Sequence, residues 1–174
     1  MTKSNLTLYS GGLYDTPVGD LLIVVSDLGL VAVEWSHSKP DLDRYLGKLG
    51  RPIQAYPAKV APYAQELREY LAGRRRAFTF SIDWDLLRPF QRSALQLVFS
   101  IPYGETATYA EIAAKLGRPR ASRAVGRANA TNPMPLVIPC HRVIGKDGKL
   151  HGYGGGDGLP TKEWLLNMEG AVLT

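Results

Sequence analysis

The chain has 174 residues, a formal net charge of +5, and 45% hydrophobic and 21% charged residues. These are the values of a globular protein with room for one medium or two small cores, and they exclude wholesale disorder. Its single cysteine excludes an intramolecular disulfide and a cysteine-rich zinc site.

The opening stretch MTKSNLTLYS lacks the apolar core of a signal peptide. The aliphatic run from Leu21 to Val25 is far too short to span a membrane. A soluble, cytoplasmic protein with no membrane partner is therefore expected. The first third reads as β-structure: apolar stretches broken by TPVGD and DLG predict an antiparallel meander. KPDLDRYLGKLG and KVAPYAQELREYLAG then predict helices, the second closed at Gly73. AFTFSIDW alternates as a further strand does.

DLLRP, residues 85–89, marks a change of pattern and divides a domain 1–86 from a domain 87–174. Beyond it, Phe90, Ala94, Leu97 and Val98 recur at helical spacing. TYAEIAAKLG opens on Thr108 with Glu111 three residues on, a capping box, and closes at Gly117. RPRASRAVGRANATN predicts a second short helix after a tight turn, and TKEWLLNMEG a last one from Thr161 to Glu169, stopped by Gly170.

The paired short helices form a candidate helix-turn-helix carrying Arg118, Arg120, Arg123 and Arg127. From Arg88 to Arg127 there are seven basic residues against two acids, which suits a solvated face or a polyanionic partner. The second helix offers Ala121, Ala124, Gly126 and Ala128 where a major-groove reader projects polar side chains such as Asn, Gln, Arg or Ser. Small residues admit the backbone to the narrow minor groove, with little sequence readout; they equally serve close helix packing.

PLVIPCHRVIG holds the lone Cys140 beside His141. A nucleophilic cysteine needs a base or positive charge to populate its thiolate, whereas a buried cysteine beside a histidine also suits a core. Neighbours in a strand point to opposite faces, so a working pair requires a turn here, and Pro139 favours one. A histidine base needs an orienting partner, and the last helix offers Glu163 and Glu169.

IPCHRVIG, with NPMPLV before it, GYGGGDGLPTKEWLLNMEG after it and YGETATYAEIAAKLGRPRASRAVGRANATNP upstream, resembles the active-site region of the O6-alkylguanine-DNA alkyltransferases over about residues 88–172. The resemblance implies an α/β (α+β) protein: a ribonuclease H-like N-terminal domain with a small antiparallel sheet, then a mostly helical, winged-helix-like domain containing the helix-turn-helix. It implies transfer of an alkyl group from O6 of guanine, and in some members O4 of thymine, to Cys140 in a single turnover. No cofactor or metal is expected, and the structural zinc of some relatives is absent.

By motif position, His141 deprotonates Cys140 through a bridging water and Glu169 orients His141. Asn132 ties the turn that presents the cysteine, and Tyr109 rotates the target phosphate and donates toward N3 of guanine. Arg123 fills the place left by the flipped base. Thr108, Tyr109, Arg118, Arg120, Ala121, Ser122 and Gly126 line the DNA contact, and Met134, Pro135, Tyr153, Gly154 and Gly155 line the base pocket. The implied partner is double-stranded DNA carrying the lesion, met through the minor groove by a monomer, with cooperative loading on DNA left open. The loop GYGGGDGL is longer than the family's usual one, with Gly154 where serine or alanine is common. Two other readings fit parts of the chain: a helix-turn-helix regulator or non-catalytic lesion-binding protein, and a Cys-His hydrolase.

Overall fold

The structure, a computed structural model, describes residues 6–173. Residues 1–5 and 174, the outer ends of the expected domains 1–86 and 87–174 and part of the stretch MTKSNLTLYS, lie outside the described residues. The chain forms two compact units, the first ending at Leu86 and the second starting at Leu87.

In the first unit β1 (Leu8–Leu13), β2 (Leu21–Ser26) and β3 (Gly29–Trp35) are the expected meander, with a bulge between Val24 and Val25. The sheet is not purely antiparallel. A short β4 (Ile53–Ala55) adds parallel to β1, giving the order β3-β2-β1-β4. All three of its residues are exposed, so no alternation of burial announces it in the sequence. Helices α1 (Lys39–Leu49) and α2 (Pro57–Leu71) carry the remaining apolar faces. Leu42 and Leu46 of α1 join Leu8, Val24, Val31 and Ala32 in one core cluster.

AFTFSIDW is not a strand. Only Ile82 makes an isolated bridge, to Leu30. The alternating aromatics face α2 instead: Phe80 packs 4.7 Å from Tyr63 and Phe78 5.5 Å from Tyr70, centroid to centroid. Glu66 of α2 holds the Thr79 amide at 2.8 Å. Aromatic packing gives a period of two here without a neighbouring strand.

In the second unit α3 (Pro89–Phe99), α4 (Tyr109–Lys115) and α5 (Ser122–Ala130) pack on one another, and α6 (Leu159–Met168) follows at the end. Leu95, rather than Leu97, joins Ala94 and Val98 on the buried face of α3. The capping box at α4 is formed: Glu111 N–H donates to Thr108 Oγ1 at 3.1 Å, and Thr108 N–H to Glu111 Oε2 at 2.6 Å. Gly73, Gly117 and Gly170 lie just past helix ends with φ between 69° and 74°. Two short strands, β5 (Ala107–Thr108) and β6 (Val143–Ile144), pair in parallel, Ala107 opposite Val143. That pairing fixes the start of α4 beside the segment that carries Cys140.

Candidate active site and nucleic-acid interface

The cysteine turn is built by its proline. Pro139 has φ −80° and ψ 65°, the inverse γ-turn conformation, and Cys140 N–H accordingly donates to Ile138 O at 2.7 Å. A 3₁₀ turn, Cys140–Arg142, follows and leads into β6. Successive residues of a 3₁₀ turn are about 120° apart. Cys140 and His141 are therefore not thrown to opposite faces, as a strand would throw them.

Asn132 braces the approach. Its Oδ1 accepts from Met134 N–H at 2.9 Å and its Nδ2 donates to Ile138 O at 2.9 Å, spanning a loop in which Leu136 holds a left-handed φ of 74°. A leucine in that region is strained, and the Asn132 bridge, with Ile138 N–H donating to Met134 O at 2.9 Å, holds it there. Met134 and Pro135 are buried in this loop.

Cys140 is 5% exposed, His141 0% and Glu169 6%. Glu169 at the end of α6 lies 2.8 Å from His141 Nε2, whereas Glu163 is exposed. The geometry thus selects Glu169 from the two carboxylates. Arg142, to which the sequence alone assigns no role, completes the site. Its Nε and Nη2 donate to the two carboxylate oxygens of Glu169 at 2.9 and 2.8 Å, and its Nη1 to Ile101 O at 2.6 Å. Gly104 N–H adds a contact to Glu169 Oε2 at 3.3 Å. Gly104 has φ 79°, and a Cβ there would sit 3.0 Å from Glu169 O, so the approach requires glycine.

Burial pushes the Glu169 carboxyl up, but hydrogen bonds from His141 and Arg142 outweigh it and hold the group well below the usual carboxylate range. Burial pushes His141 down, more than Glu169 raises it. Burial likewise raises the Cys140 thiol, against the Asn132 hydrogen bond and the Lys162 charge. At neutral pH the group rests as thiol, imidazole and carboxylate. With Glu169 ionised, Nε2 carries the ring proton and Nδ1 the lone pair.

Two further groups were not found from the sequence. Lys162, 0% exposed on α6, donates to Val143 O at 2.7 Å and His151 O at 3.0 Å, and burial pushes its ammonium down to about 8. Its place on the buried stripe with Leu165, Leu166 and Glu169 was readable from helical spacing. Asn129 of α5, 8% exposed, donates from Nδ2 to Cys140 O at 3.2 Å. Tyr109, first residue of α4, is half-buried. Burial raises its hydroxyl above the ordinary value. Asn129, Asn132 and Cys140 thus form one neighbourhood.

Around it, α4 and α5 are joined by Arg118-Pro119-Arg120-Ala121, with Ala121 N–H donating to Arg118 O at 2.8 Å. These four residues line an open depression of about 490 Å³. Arg118 leans over the Phe90 ring at 5.7 Å. Arg118, Arg120, Arg123 and Arg127 are exposed, Thr108, Ala121, Ser122 and Gly126 half-buried, and α5 carries no acid. Val125, Ala128 and Asn129 face inward, so the small residues of α5 serve both uses left open by the sequence: Ala128 packs, while Ala121 and Ser122 keep the outer surface low. The loop after β6 places Tyr153 half-buried, Gly154 exposed and Gly155 buried. Thr161 Oγ1 ties that loop to α6 by accepting from Asp157 N–H at 2.9 Å.

Both units match models of known proteins: the 6-O-methylguanine DNA methyltransferase ribonuclease-like domain over residues 10–84, and the DNA binding domain of the same family over residues 89–171. The chain is 37% identical over 159 residues to the methylated-DNA–protein-cysteine methyltransferase of Methanosarcina acetivorans, covering 91% of this chain and 97% of that one. The namesake from Salmonella typhimurium is 39% identical over 163 residues, with 91% and 94% covered. Among solved structures, Mycobacterium tuberculosis O6-methylguanine methyltransferase superposes with a TM-score of 0.76 at 34% identity, over 94% of this chain and 93% of that one. The M. tuberculosis protein in complex with DNA superposes with 0.75 at 33% identity, over 94% and 92%. Matched along both units, the chain belongs to the 6-O-methylguanine DNA methyltransferase family.

Proposed function

We propose that this protein repairs DNA by moving an alkyl group from O6 of guanine in a duplex to Sγ of its own Cys140, once per molecule. The observation that carries the reading is the buried series Cys140, His141, Glu169 and Arg142 set directly against a basic helix-turn-helix. A hydrolase has no use for the second feature, and a regulator none for the first.

O6 is out of a thiolate's reach inside a stacked duplex, so the base leaves the stack, at a cost of a few kcal/mol that is least for a damaged pair. Arg123, exposed on α5, enters the gap, while Ala121, Ser122 and Gly126 let the helix backbone approach the minor groove. Thr108, Arg118 and Arg120 hold the phosphates, and the contact reads little sequence. Met134, Pro135, Tyr153, Gly154 and Gly155 wall the extruded base.

His141 Nδ1 takes the thiol proton through a bridging water and Glu169 stabilises the imidazolium. Sγ attacks the alkyl carbon, the C–O6 bond breaks, and its electron pair leaves with the guanine. Tyr109 gives a proton to N3, so the base departs neutral. The imidazolium proton returns through solvent to the tyrosinate. The product is a thioether, and the chain has no second cysteine to receive the group, so the reaction ends there. A monomer suffices, because every group named lies on this chain.

The test is the intact mass of the protein after mixing with duplex DNA bearing O6-methylguanine. One methyl on Cys140, at a one-to-one limit, is expected. No adduct, or many turnovers per protein, would sink the reading.

A further inference from the structure

The glycine-rich segment after β6 is an arch with both ends fastened to one turn of α6. Lys162, 0% exposed, donates from Nζ to Val143 O at 2.7 Å and to His151 O at 3.0 Å. One ammonium therefore closes the neck of the excursion from Val143 to His151. The tip of that excursion closes on itself, Gly145 N–H donating to Lys149 O at 3.0 Å. Thr161, next to Lys162 and 7% exposed, holds the other end: its Oγ1 accepts from Asp157 N–H at 2.9 Å. Gly156 presses on the same side chain, since a Cβ there would sit 2.4 Å from Thr161 Oγ1.

Between His151 and Asp157 runs Gly-Tyr-Gly-Gly-Gly. Glycine adds backbone freedom and brings no side chain to pack, so the course of this stretch is set by its fastened ends. At mid-span a Cβ on Gly154 would lie 3.9 Å from Ala130 O, at the end of α5. That helix reaches the nucleophile through Asn129 Nδ2, which donates to Cys140 O at 3.2 Å. At the near end Val143 joins the cysteine turn, its N–H donating to Cys140 O. The arch thus leaves one support of the Cys140 turn and leans on another.

We infer that Thr161 and Lys162 are specificity-determining positioning residues: by fixing both ends of the arch they set the width of the base pocket, and with it the size of alkyl group that Cys140 accepts. The inference rests on the alkyl-transfer reading above, in which Tyr153, Gly154 and Gly155 wall the extruded base. Neither residue touches a reacting atom. An arch pinned at both ends holds a methyl group closely and crowds a longer chain. Released at one end, it yields to the longer chain and grips the methyl less well. One methylene in a close-fitting pocket is worth about 10–200-fold in rate, so a small movement of the arch registers in the ratio between two substrates.

The experiment measures single-turnover transfer from duplexes carrying O6-methylguanine or O6-butylguanine and reads the butyl-to-methyl rate ratio. Thr161→Val keeps the shape of the side chain and removes the acceptor for Asp157 N–H. It is expected to raise the ratio by at least about fivefold, a part of what one methylene is worth. Thr161→Ser keeps the oxygen and is expected to stay within about twofold of the wild type. Lys162→Met frees the other end and is expected to raise the ratio as Thr161→Val does. A merely structural role slows both substrates by the same factor. An unchanged or lowered ratio in a folded Thr161→Val or Lys162→Met protein overturns the inference, as does a serine variant that behaves as the valine one. Should Lys162→Met melt early, the two Thr161 variants decide alone. The wild-type adduct separates the levels: no methyl on Cys140 ends the alkyl-transfer reading, whereas a methylated wild type with an unmoved ratio in the variants ends only the role of the two anchors.

Discussion

Arg142 commits its whole guanidinium inside the protein, to the two oxygens of Glu169 and to Ile101 O. Removing one partner of a buried charge pair leaves the other uncompensated, at about 3–5 kcal/mol. Arg142→Met is expected to destabilise the second unit by that amount in denaturant melts, with His141 less well oriented and transfer slowed. The residue was in plain view in IPCHRVIG, yet nothing in the string says that it turns inward. Glu169 differs: Lys162, Leu165, Leu166 and Glu169 share the buried stripe of α6, and the helical phase that selects Glu169 over Glu163 is present in the sequence. Asn129 was not legible because its contact with the Cys140 carbonyl joins α5 to the 3₁₀ turn across space.

At the scale of elements, α4 depends on its capping box, and the first residue inside the cap is Tyr109. Replacing a threonine cap by alanine costs about 1 kcal/mol. Thr108→Ala is therefore expected to raise amide exchange through the first turn of α4 and to slow transfer several-fold, with the core of α5 unaffected. Local grammar made this element readable: a cap, its glutamate and a terminal glycine all lie within ten residues. The same reasoning failed at AFTFSIDW, where Phe78 and Phe80 alternate to meet Tyr63 and Tyr70 of α2. It also failed at β4, which is too short and too exposed to leave a pattern. Periodicity reports which side chains are buried together; it does not report whether a strand or a helix buries them.

For the molecule as a whole, the site governs acid stability. His141 is held neutral below its ordinary value, so below about pH 6.5 the unfolded chain binds one proton more than the folded one, and stability falls with pH. Glu169, held ionised in the fold, extends the loss as pH drops below the ordinary carboxylate value near 4.3. Melting of the second unit is expected to decline as pH falls below about 6.5, at up to about 1.4 kcal/mol per pH unit for each proton. His141→Gln is expected to remove the upper part of that decline. A flat profile from pH 7 to 5 in the wild type would contradict the neutral buried imidazole.

The burial of Cys140 has one more consequence. The thiol is 5% exposed, in a turn braced by Asn129 and Asn132 and backed by Lys162. A methyl group added there enlarges a side chain that is already packed in the fold, and overpacking a core costs about 1–3 kcal/mol. For a unit of this size that is a drop of several degrees in melting temperature, measurable by comparing the protein before and after reaction. A used molecule is then distinguishable from a fresh one by its resistance to unfolding alone, which lets any protease that samples open chains clear the spent copies and spare the rest.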